Sequence, residues 1–106
     1  MKILVSEPYQ APEWRDIENE LEPMKEIVDG WLEVIPTSVK GVVIVGDEEA
    51  KLKNKRFNFI TEIDTIAGTV FFASVDGEDF ASLTEEQAKE VLKKYFPAIP
   101  CPPMPR

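Results

Sequence analysis

DTIAGTVFFAS, residues 64–74, holds the densest run of β-branched and aromatic residues in the chain, Thr69-Val70-Phe71-Phe72. Such a run suits a pleated strand. Alternation puts Val70 and Phe72 on one face and Thr69, Phe71 and Ala73 on the other, so both faces carry apolar bulk and both need covering. A strand of that kind belongs in the middle of a sheet. Gly68 ahead of it marks a tight turn or bulge, and Asp76-Gly77 behind it is a hairpin dipeptide.

On the C-terminal side, Phe80–Leu83 is predicted to pair back as a short strand. A helix follows: Thr84 and Gln87 form a capping box, Leu83 and Ala88 a hydrophobic staple, and Ala88, Val91, Leu92, Tyr95 and Phe96 one apolar face that stops at Pro97. On the N-terminal side, Val42–Val45 is wholly apolar and β-branched, which predicts a second central strand. Lys2–Ser6 reads as a buried first strand, Glu7–Pro12 as a turn and Glu13–Glu18 as the return strand. Asn19 then suits an N-cap for a helix over about Glu20–Asp29, with Leu21, Met24, Ile27 and Val28 in one stripe and Gly30 at its end. Pro23 is its weak point, since an interior proline deletes a hydrogen bond. Trp31–Ile35 reads as a strand stopped by Pro36. Asp47–Thr61 is predicted to be an irregular loop with at most one short strand or helical turn. These elements define an α+β domain over residues 1–96, a mostly antiparallel sheet of about five strands packed with two helices. The tail, residues 97–106, carries five of the nine prolines and is expected to lie extended or disordered.

A chain of 106 residues fits one core. It has no apolar run long enough to span a membrane and no signal-peptide pattern, and its one cysteine, Cys101, argues for no disulfide framework, so a cytoplasmic protein is expected. The net charge is −8, and it is unevenly spread: residues 1–35 hold nine acids and three bases, whereas residues 36–60 hold three acids and five bases. An anionic field favours basic partners and disfavours direct binding of nucleic acid or an anionic membrane.

The absence of histidine removes Ser-His-Asp and Cys-His nucleophile arrangements and histidine zinc sites, and no phosphate-binding glycine loop is present. No cofactor is predicted. Asp47, Glu48 and Glu49 match no calcium-loop spacing and read as a solvated turn. Asp16, Glu18, Glu20 and Glu22 recur with period two. In an extended chain they would lie about 6.8 Å apart along one face, near the spacing of phosphates on a nucleic-acid strand. If the residues after Asn19 are helical, Glu18, Glu22 and Glu26 instead share a helix face, which by itself is an ordinary solvated surface. Lys51, Lys53, Lys55 and Arg56, with Asn58 and Phe57 nearby, form the one locally positive stretch. It suits a phosphate or nucleotide, or else a loop that balances the surrounding acids. Trp14 and Trp31 are core residues or, where exposed, anchors for a partner.

The order SEP, LEPMKEIVDG, WLEV, DEEAKL, DTIAGTVFF and EDFASLTEEQ resembles a family of small bacterial, phage and mobile-element proteins known as domain of unknown function 3846. The similarity covers residues 3–96. It implies an accessory role on phages, plasmids or conjugative elements and no particular activity. The expected function is therefore a non-enzymatic accessory protein that binds a host protein, such as a nucleic-acid-handling or defence factor, through the acidic face of Asp16, Glu18, Glu20, Glu22 and Glu26. One alternative is a module that sequesters a small anion or nucleotide with Lys51, Lys53, Lys55, Arg56 and Asn58. A second is a carboxylate-based enzyme.

Overall fold

Strand β7, Val70–Asp76, occupies the centre of the sheet, as the alternation of its side chains predicts. The computed structural model describes residues 1–105. On one side β7 pairs with β4, Val42–Asp47, in the register Ile44 opposite Phe72 and Val45 opposite Phe71. On the other side its first half pairs with β1, Lys2–Ser6, and its second half with β8, Asp79–Ala81. β2, Glu13–Asp16, and β3, Leu32–Pro36, form the edges. All pairings are antiparallel. The sheet thus has six strands where the sequence predicts about five.

The two apolar faces of β7 are covered by different elements. Phe71 and Ala73 join Ile3, Val5 and Val45 beneath helix α1, Leu21–Val28, whose Met24 and Val28 point inward. Val70 and Phe72 join Leu4, Val42 and Ile44 beneath helix α2, Glu85–Tyr95, through Ala88, Val91 and Leu92. A two-stranded ribbon, β5 (Phe57–Ile60) with β6 (Thr65–Ala67), shares that second face and contributes Phe59 and Ile66. Phe59 lies 5.7 Å from the Phe72 ring and 4.9 Å from Phe96, so the ribbon is fastened by aromatic contact.

Four local expectations are corrected or extended. Asn19 is not the N-cap of α1: its side-chain amide donates to the carbonyl of Phe80 at 2.9 Å, and Glu20 takes the N-cap position with no side-chain hydrogen bond. Because the helix begins at Leu21, Pro23 falls in the first turn, where backbone N–H groups have no intrahelical partner to lose, and it costs the helix nothing. Gly68 turns with φ +78° just ahead of β7, as the sequence predicts, and the residues before it form a further short strand, β6, that is not among the elements predicted from the sequence. Among the described residues of the proline tail, 97–105, there is no helix or strand, but they are laid along the domain. The Trp14 indole donates to the Pro102 carbonyl at 3.0 Å, the Lys2 ammonium to the Pro105 carbonyl at 2.8 Å, and Ile99 and Cys101 pack on the core.

Candidate functional site

The acidic segment crosses from β2 into α1, and the crossing decides its geometry. The period-two row of Asp16, Glu18, Glu20 and Glu22 is interrupted where the helix starts. Glu22 and Glu26 lie one turn apart on the outer surface of α1, with Lys25 between them 3.9 Å from Glu22. Asp16 accepts from the Met1 ammonium at 3.1 Å. Glu18, Glu20 and Glu26 are exposed and have no ion-pair partner among the described residues. The Asn19–Phe80 hydrogen bond adds what the sequence did not reveal, because it holds the β7–β8 hairpin, with the exposed Asp76, Glu78 and Asp79, beside Glu18 and Glu20. No local pattern signals a juxtaposition across some sixty residues. Trp31 sits at the other side of α1, 57% exposed, with the Lys25 ammonium 3.8 Å from its ring centroid. An exposed indole held by a cation–π contact to a lysine that also pairs with Glu22 has the anatomy of a binding anchor.

The basic loop is arranged differently from what its composition suggests. Asp47, at the end of β4, turns inward, and its side chain is 1% exposed. Lys53 and Lys55 both donate to its Oδ2 at 2.8 Å, and the Glu49 N–H donates to Oδ1 at 2.9 Å. Burial would raise the Asp47 pKa; the hydrogen bonds from Lys53, Lys55 and Glu49 outweigh it and bring the group to about 2, from 3.8. Lys55 also donates to the carbonyls of Val28 and Asp29 at 2.8 Å each, so one ammonium ends α1 and neutralises Asp47. Asp29 closes the helix in the left-handed conformation, φ 55°. Gly30 follows it because a Cβ there would lie 2.3 Å from the Asp47 carboxylate.

Of the remaining cluster, Lys51 pairs with Asp64. Asn58 is an internal tie whose amide donates to the carbonyls of Ser6 and Gly68, at 2.9 Å each, while its oxygen accepts from the Ser6 hydroxyl. Arg56 alone among Lys51, Lys53, Lys55 and Arg56 has no carboxylate partner among the described residues; its guanidinium lies over Tyr9. Asp47, Glu48 and Glu49 do not converge, since the first is buried and the other two are exposed. A second tie joins the ribbon to α2: Glu62 accepts from the Ser38 hydroxyl and, at 2.8 Å, from the Tyr95 hydroxyl, with Lys94 at 3.4 Å. These contacts, the Ser38 hydroxyl first, hold the Glu62 pKa down to about 2.

The molecule is thus a three-layer α+β domain with Lys53 and Lys55 drawn onto the buried Asp47, and with Glu18, Glu20 and Glu26 left unpaired among the described residues on an acidic rim. The chain belongs to the family described as Domain of unknown function (DUF3846), whose model matches residues 1–96. Neither the curated proteins nor the solved structures contain a match to it. Among the described residues, no helix is long and apolar enough to cross a membrane.

Proposed function

We propose that the protein is a non-enzymatic binding module, an accessory of a phage or other mobile element, that seats α1 and its acidic rim on a basic surface of a host protein. The observation that carries this reading is Trp31, a large aromatic ring left 57% exposed under the Lys25 ammonium, which itself pairs with Glu22. Burying such a ring in a partner supplies affinity, and the carboxylates of the acidic rim supply steering and partner choice. A basic groove that normally handles nucleic acid is the complementary surface, which makes a nucleic-acid-handling or defence factor the class of partner. The mobile-element setting comes from the family resemblance alone.

Affinity purification of the tagged protein from nuclease-treated host lysate, at low and high salt, tests the proposal. The expected result is one protein retained stoichiometrically at low salt and released at high salt. Trp31→Ala should weaken its retention by at least about 2 kcal/mol, roughly thirtyfold, and reversing Glu18, Glu22 and Glu26 to lysine should abolish it. Recovery of the bait alone, or retention unchanged in both variants, sinks the reading.

A further inference from the structure

Four segments separate in sequence meet at the end of α1 around a groove of about 530 Å³: the Pro8-Tyr9 turn, Ile27–Asp29, Lys55-Arg56 and Gly68-Thr69. That volume is typical of small-molecule sites. The Gln10 N–H donates to the Glu7 carbonyl at 3.1 Å, which makes Pro8 and Tyr9 the central residues of a tight turn. Tyr9 has φ 64°, the conformation that such a turn with proline ahead ordinarily gives to glycine. The strain brings the ring no burial, because Tyr9 is 78% exposed. A side chain that is both strained and exposed points to a contact outside the molecule.

Arg56 supplies the second wall. Its guanidinium carbon lies 5.9 Å from the Tyr9 ring centroid. A planar heterocycle stacked on both sides needs roughly 6.8 Å between its neighbours, so an outward swing of about 1 Å by two exposed side chains admits one ring. Charge then selects among planar ligands. The three donors of the Lys55 ammonium are already taken by Asp47, Val28 and Asp29. Glu7 and Asp29 also line the groove, so a phosphate would meet two carboxylates and find only Arg56. We infer that the groove takes an uncharged purine, as base or nucleoside, with its ring between Tyr9 and Arg56. Glu7 and Gln10 both line the groove, and a carboxylate and a side-chain amide are the acceptor and donor types that the amino and ring-nitrogen edge of a purine takes. The site is separate from the acidic rim and does not depend on it.

An NMR titration of the full chain with adenosine, guanosine, cytidine and adenosine 5′-monophosphate tests the assignment. Adenosine or guanosine should give saturable shifts at the Tyr9, Gly68 and Thr69 amides. The monophosphate should bind at least about threefold more weakly, because the carboxylates oppose it. Tyr9→Gly removes the backbone strain, so its melting temperature should hold or rise while the response weakens about tenfold or more. Arg56→Ala should show the same loss. Any one of four results overturns the inference: no saturable shift up to about 5 mM purine nucleoside, cytidine that binds as well as the purine nucleosides, a monophosphate that binds as well as the nucleoside, or an undiminished response in Tyr9→Gly.

Discussion

Asp47 shows how one buried carboxylate organises its neighbours. It is covered but shallow, since Lys53 above it is itself 43% exposed, so solvent screens part of the pairing. Asp47→Asn keeps the shape and removes the charge, and should cost about 2 kcal/mol in urea unfolding at pH 7. The pH dependence follows from the sign of the shift. The folded pKa, about 2, lies below the ordinary 3.8, so the contribution is complete above about pH 5 and is lost as the pH falls toward 2. Stability measured across that window should slope less steeply in Asp47→Asn than in the wild type. Gly30→Ala should destabilise by about 3 kcal/mol, because its Cβ strikes the carboxylate. In an Asp47→Ala background the same change should cost much less, and a double-mutant cycle reads the difference. None of this was legible beforehand. Asp47 opens a polar stretch that reads as a turn, and the lysines after it look like a free anion site until the turn folds them back onto it.

The two helices differ in how they begin. In α2, Thr84 accepts from the Gln87 N–H at 3.1 Å while the Gln87 side chain accepts from the Thr84 N–H at 2.9 Å, the reciprocal box that the sequence predicts. Thr84→Ala should therefore lower stability by about 1 kcal/mol, seen as a fall of about 5 °C in thermal melting. In α1, Glu20 has the extended N-cap backbone, φ −134° and ψ 154°, but no side-chain bond to the helix. Glu20→Asp shortens the side chain to one that reaches the free N–H groups and keeps the charge, so melting should rise by a few degrees. Elements with a local signal were legible: the alternation of β7, the apolar run of β4 and the capping box of α2. β6 was not, because three residues carry no periodicity. Asn19 misled for a related reason, since the amide that suits a cap suits equally well a carbonyl on a distant hairpin.

At the scale of the whole molecule, the tail is part of the packing although the family match ends at residue 96. Removing residues 97–106 should uncover Trp14, shift tryptophan emission to the red and lower the melting temperature, because it deletes the Pro102 acceptor and the contacts of Ile99 and Cys101. The layered fold was legible from the two-faced strand, whereas the acidic rim was only half legible, as its second half comes from a hairpin that chain proximity does not bring near. The position of β7 in the chain also governs how the protein is made. β1 with β2, and β3 with β4, are hairpins built early, but neither has its inner neighbour until Val70–Asp76 has been synthesised. During translation, at about 5–20 residues per second, the nascent chain therefore carries two unjoined half-sheets for several seconds. Their apolar edges are open throughout that interval, and the domain closes only when its last third reaches solvent.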